Sequence, residues 1–360
     1  MKKRLLSVFL CLCMVFSLLP ATVWAETTNG HTHYLCGGST CNGSGHENET
    51  YKTTFEKEIK QEGNTLKIGD KSWAPTKGSN DTFYILPTGT YYLGSDISLE
   101  YTIKIENNVT LCLNGHKITA ADGMDAIYMT GGSVYVYSGS GTFNMYGGSI
   151  TGNRATGDGG GVYKSGSNSS FNMYGGSITG NTANSYGGGV YVDGGGFTMS
   201  GGTIGGTKTG ETNTATYGGG GVYVVGSSST FEMTDGSITG NNAAYGGGVY
   251  TVNEFKMTGG SITGNNAYKS DYISTFGGGV CVGSGIFTVS GEVTVTDNTK
   301  GGTKGADGKF TGDTKNNVYL PTGKTITIGT DKLSEGAQLG VTVSGDYGDY
   351  PFTSGWNDNM

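Results

Sequence analysis

Arginine is almost missing from this 360-residue chain, occurring only at Arg4 and Arg154. Charged residues of both signs make up only 14% of it, and the formal net charge is −7. A basic face that could track a phosphate backbone is therefore absent, which excludes nucleic acid as a partner. Histidine is scarce: of four, three fall between His31 and His46 and the fourth is His116. The central part of the chain thus has no imidazole for general acid–base work. Six cysteines in so long a chain, two of them at Cys11 and Cys13, do not make a disulfide framework. After the first residues no apolar run approaches the ~20 residues of a spanning helix, so no transmembrane segment is expected in the mature chain. No apolar stripe of helical period is present either.

What is present begins with a leader. A basic start, Lys2 to Arg4, precedes the apolar run from Leu5 to Leu19, and small residues follow. That order is the pattern of a secretory signal peptide, expected over residues 1–25 with cleavage after Ala25. The expected location is secreted or at the cell surface.

Glycine is abundant, at 69 residues, and it is periodic. The stretch FNMYGGSITGN at 143–153 recurs letter for letter at 171–181. Looser copies start at Phe197, Phe231 and Phe255, and a degenerate one at Phe287. Between them GGGVY or a close variant starts at Gly159, Gly187, Gly218, Gly246 and Gly277. Both elements alternate at period two, the signature of strands. Three short strands per unit cannot bury their apolar faces alone; stacking successive units does so.

The expected fold is therefore all-β: a right-handed parallel β-helix, or solenoid, of about nine or ten rungs spaced ~4.8 Å apart. In it the phenylalanines form one internal column and Met145, Met173, Met199, Met233 and Met257 another. Asn153, Asn181, Asn241 and Asn265 are expected to form a ladder at one corner. The longest outward loops fall at 207–217 and 268–276. The domain reading is a signal peptide at 1–25, a His/Cys-rich segment and cap at 26–80, the β-helix at 81–330 and a C-terminal cap at 331–360. A short helix over residues 53–61 is expected to cover the first rung, and Pro351 and Phe352 to pack at the other end.

The recurring N-x-A…G-G-G-V-Y frame, as at Asn153, Ala155 and 159–163, resembles right-handed β-helix surface proteins, among them the chlamydial polymorphic membrane proteins. The F-x-x-N element of that set is replaced here by I-T-G-N. A nearer similarity is to secreted repeat proteins of gut Firmicutes. It is carried by the His/Cys-rich start, G-x-YYL at 89–93, LCLNGH at 111–116, NVYLP-x-GKTI at 317–326 and FTSG at 352–355. The resemblance implies export and a β-helix; it implies no particular activity.

Four sets of residues are candidates for function. His31, His33, Cys36, Cys41 and His46 offer imidazole and thiolate, the preferred ligands of a structural zinc. A disulfide between Cys36 and Cys41 suits an exported protein equally. Tyr163, Tyr191, Tyr223 and Tyr250 occupy the outward position of the GGGVY strand, and Tyr146 and Tyr174 that of another face. Such rows either stack sugars or meet a protein, or they form a ladder that only stabilises the sheet. Cys112 and Cys281 should point outward, several rungs apart, as two thiols, and His116 should sit solvated at a turn. The carboxylates Asp158, Asp193, Glu232, Asp235, Glu254 and Asp271 occupy different places in the unit, which does not suggest a catalytic pair.

The function these features favour is a monomeric secreted or cell-surface binding protein, recognising a glycan or a protein on another cell, with no catalysis. The alternatives are a carbohydrate-active enzyme, lyase or hydrolase, built on a β-helix, and a passive wall or matrix protein.

Overall fold

The computed structural model describes residues 31–34, 52–78, 82–121, 134–136, 141–268, 275–304, 310–311, 314–343 and 353–354. The chain divides into residues 1–30 and 31–360, and every described residue belongs to the second unit. The expected signal peptide lies outside the described residues. Among those described, every regular element is a strand, and no helix is long and apolar enough to cross a membrane.

The strands gather into long parallel sheets in which each strand pairs with its counterpart in the next repeat. One sheet carries the F-x-M and S-I-T elements. Its register sets Phe143 over Phe171, then Phe197, Phe231, Phe255 and Phe287. The rings stack at centroid separations of 4.7–5.1 Å with interplanar angles of 12° or less. Met145, Met173, Met199, Met233 and Met257 form the neighbouring column and are fully buried. A second sheet holds the GGGVY strands; ten of its strands run parallel, from Thr82–Leu86 to Val341–Val343. A third, of two-residue strands, starts at Arg154–Ala155 and stacks Ala155, Ala183 and Ala215. The inward residues of the first two sheets meet in one apolar core. Each large side chain in it contributes roughly 1.5–3 kcal/mol on burial.

The glycine triplet has two separate causes. Gly187 takes φ +66°, a left-handed turn that side chains resist. Gly189 is needed for space: a Cβ there would lie 2.7 Å from the Gly221 carbonyl oxygen and 3.1 Å from the Asn213 amide nitrogen.

That amide belongs to the asparagine ladder, which is longer than expected. Besides Asn153, Asn181, Asn241 and Asn265 it includes Asn213, Asn298 and Asn317. Asn181 Nδ2 and its backbone N–H both donate to Asn213 Oδ1, at 3.0 and 2.9 Å. Asn213 Nδ2 donates in turn to Asn241 Oδ1 at 2.9 Å and to the Ile178 carbonyl at 2.7 Å. The same pattern runs on through Asn265 and Asn298 to Asn317. The ladder has a direction, so its first acceptor has no donor. Asn153 Oδ1 is buried without a hydrogen-bond partner. In the preceding rung the corresponding residue is Ala121, which has no amide to offer.

The expected helix over residues 53–61 is not formed. Phe55 and Ile59 are both fully buried, and their four-residue spacing mimics a helical stripe. The chain instead makes the strands Lys52–Phe55 and Lys57–Glu62. Lys57–Glu62 pairs parallel with Gly89–Leu93, placing Ile59 beside Leu93, and antiparallel with Thr65–Ile68. A strand satisfies the open backbone edge of the first rung, which a helix would leave unpaired. At the other end the sheets continue through Val341–Val343 and Thr353–Ser354; Pro351 and Phe352 lie outside the described residues.

Replacing Asn213 by alanine strands donors on Asn181 and an acceptor on Asn241, and is expected to cost about 2–3 kcal/mol in denaturant unfolding. Ala121→Asn supplies the missing donor and is expected to add about 1 kcal/mol. Equal stability of the wild type and Asn213→Ala would refute the ladder.

Candidate functional site

A polar groove lies on the outer face of the S-I-T strands. Within Ser149–Thr151, Ser177–Thr179 and Thr230–Thr239 the isoleucine is buried inward, so the flanking hydroxyls face out. Register then makes two columns. One runs from Lys117 through Ser149, Ser177 and Thr203 to Ser237. The other sets Thr151 beside Thr179, whose hydroxyl oxygens lie 3.3 Å apart, and resumes at Thr239. Gly205 interrupts it, and there the chain departs into residues 206–211, which overhang the columns as a wall.

This wall is built rather than loose. The Lys208 N–H donates to Glu211 Oε2 at 3.1 Å, and the Glu211 N–H to the Lys208 carbonyl at 3.1 Å. The Gly180 N–H ties the loop to the neighbouring rung through the Glu211 carbonyl at 2.9 Å. The groove encloses about 580 Å³. The loop was legible as the longest interval between repeats; the groove beneath it was not, because it needs the register of five strands.

The tyrosines fall into two environments. Tyr163, Tyr191 and Tyr223 stack on one another at 4.9 and 5.4 Å with interplanar angles of 20° and 13°. Tyr250 continues the row at 5.3 Å. Rings stacked this way spend their faces on each other and present only edges outward. Tyr186, Tyr245 and Phe276 flank the row, Tyr186 at 4.5 Å from Tyr223 and Tyr245 at 5.9 Å from Tyr250. These flanking aromatics went unread, although each directly precedes a glycine triplet. Burial pushes the Tyr163 and Tyr250 hydroxyls up to about 12, and raises Tyr191 and Tyr223 as well. On the other face Tyr146 and Tyr174 stack at 4.8 Å, and Phe55 covers Tyr146 edge-on at 5.8 Å.

Phe55 also overturns one expectation. Cys112 is on the outward register, beside Tyr146 and Tyr92, yet it is fully buried in the cluster that Phe55 forms with them. Cys281 takes the tyrosine position between Tyr250 and Tyr319, yet it too is buried, at 4% exposure. Its side chain is shorter than those of the flanking rings. Burial pushes its thiol up to about 12, so it is a poor nucleophile. His116 is half-buried, its Nδ1 3.2 Å from Asp96 Oδ1.

His31 and His33 lie in the strand His31–Tyr34, paired with Lys52–Phe55; Cys36, Cys41 and His46 lie outside the described residues. Among the described residues no three His, Cys, Asp or Glu side chains are grouped to hold a metal. Asp158 and Asp193 flank the tyrosine row at opposite ends of its strands. Asp158 Oδ1 accepts from the Tyr186 N–H at 3.0 Å; burial holds its carboxyl above the usual range, and Asp193 adds repulsion. Glu232 is paired with Lys256 at 2.9 Å, Asp235 and Glu254 are exposed, and Asp271 lies outside the described residues.

Lys164 was missed altogether. It follows Val162 and Tyr163, so alternation sends it inward, level with Val136 and Val192. It is completely buried. Its Nζ donates to the Gly166 carbonyl at 2.9 Å and to the Gly194 carbonyl. Burial pulls its amine down to about 8.

Compared with family models, curated proteins and solved structures, the chain matches none.

The lysine carries a pH signature. Its folded-state value, about 8, lies below the 10.5 of a lysine in an unfolded chain. Between the two the unfolded state binds the extra proton, so stability rises with pH across that window. Lys164→Met removes this dependence. The stability of the wild type relative to Lys164→Met, from urea unfolding, is expected to be flat below pH 8 and to climb from there to pH 10.5.

Proposed function

We propose that this chain is an exported, right-handed parallel β-helix that recognises glycans at its surface without transforming them. Support for the closed, right-handed form comes from the pairing. In the three long sheets the strands of successive repeats pair parallel and are joined by crossovers through the other sheets, and such connections are right-handed in nearly all proteins. Export rests on the leader pattern of residues 1–25, and kinship with secreted β-helix repeat proteins belongs to the same proposal.

The observation that carries the binding reading is the groove. Its floor is ordered hydroxyl groups in fixed register, its wall is a hydrogen-bonded loop, and its volume of about 580 Å³ lies within the range of ligand sites. Hydroxyl-rich floors match sugars, whose own hydroxyls both donate and accept. The tyrosine rows serve this reading less well, because their faces are already occupied.

A glycan array probed with the purified chain, followed by sizing of any captured polysaccharide, tests the proposal. Saturable binding with the polysaccharide length unchanged is expected. Absence of binding to every glycan, or release of new reducing ends, would reject it.

A further inference from the structure

The groove has a direction, a period and a charge balance, and together they narrow what it accepts. We infer that it takes one extended, unbranched, neutral polysaccharide chain lying along the stack, with about one sugar residue per rung; this rests on the glycan-binding reading above.

The direction comes from register. Ser149, Ser177 and Thr203 are successive members of one column, and Thr151 and Thr179 of the column beside it. A ligand lying across the strands in the stacking direction meets the same pair of groups at every step. A ligand lying along one strand meets one hydroxyl pair and then leaves the groove. The period is the spacing of paired strands, ~4.8 Å. That is close to the length of one pyranose in an extended chain, so each sugar spans about one rung; in a β-1,4-linked chain, whose successive rings are flipped, equivalent hydroxyls meet the column at every second rung. A coiled glycan does not keep step with the rungs.

The wall favours a chain over a branched cluster. Residues 206–211 overhang the columns along one side, and the loop is pinned by Glu211 to Gly180 on the preceding rung. A branch directed toward the wall would strike this loop. The floor from Lys117 to Thr239 covers five rungs, four strand spacings, room for about four sugars.

Charge argues for a neutral ligand. Of the charged groups lining the groove, Lys208 is 3.7 Å from Glu211, and only Lys117 stands apart from that pair. Asp96 places a carboxylate at that end of the groove, where its Oδ1 accepts the Lys117 backbone N–H at 3.0 Å. A repeating uronate would need a cation at each rung, and the column supplies serine and threonine instead.

Titration calorimetry with β-1,4-linked gluco-, xylo- and manno-oligosaccharides of two to six residues tests this on the full chain. For at least one series affinity is expected to rise with each sugar to about four and then level off. The double variant Ser177→Ala, Thr179→Val keeps strand-forming residues and removes two floor hydroxyls; it is expected to weaken binding about tenfold or more. Lys117→Ala is expected to change it less than threefold. Circular dichroism confirms that each variant keeps its strands. Affinity independent of chain length overturns the inference. So does undiminished binding by the floor variant, or binding confined to uronate chains and lost in Lys117→Ala. If array glycans bind but the floor variant binds them equally, the glycan reading survives and the groove does not; if no glycan binds at all, both fall.

Discussion

In-register parallel pairing means that every side chain must tolerate a copy of itself, or its counterpart, about one strand spacing away. Much of the composition follows from that constraint. Phenylalanine tolerates it well, because flat rings stack at 4.7–5.1 Å without disturbing the backbone. Asparagine tolerates it better than any other polar residue in the core, since its amide donates on one side and accepts on the other. Like charges do not, for a column of them repels along its length. The scarcity of arginine agrees with that constraint. One column carries charge together with its opposite: Glu232 and Lys256 are register partners and form an ion pair at 2.9 Å.

Lys164 breaks the rule in a different way. Its neighbours in the column are Val136 and Val192, so it meets no like charge, and its amine escapes the core by reaching the glycine corner at Gly166 and Gly194. The corner can receive it because two carbonyls there point inward. An apolar residue of similar length would fill the same volume and leave those carbonyls without the donor. Burial nonetheless leaves the amine easier to deprotonate than an exposed one.

The columns were legible because a repeat states its own register: once 143–153 and 171–181 are aligned, Phe143 must lie beside Phe171 and Asn153 beside Asn181. Asn213, Asn298 and Asn317 escaped notice because their motifs had drifted away from I-T-G-N, though their geometry had not. What lies outside the repeat could not be read in this way. Nothing around Cys112 says that Phe55, more than fifty residues earlier, covers it. The pair Phe55 and Ile59 fits a helix and two offset strands equally well, and the choice was made by an unpaired edge at Gly89–Leu93. Lys164 is a different failure, since its inward direction follows from the same alternation that placed its neighbours.

A stack obeying this constraint everywhere would be uniform outside, and a uniform surface has no preferred point of attachment. Specificity has to arise where the period breaks. The tyrosine rows do not break it; they extend the stacking to the exterior and consume their own ring faces. The break comes at Gly205, where a threonine column loses one member and residues 206–211 leave the sheet. The repeat on either side keeps the floor hydroxyls in line, while the inserted residues, tied back by Glu211, close one flank. Periodic floor and aperiodic wall are each inert alone. Together they distinguish one position on the stack from every other, which is what recognition requires of a stack whose core cannot vary.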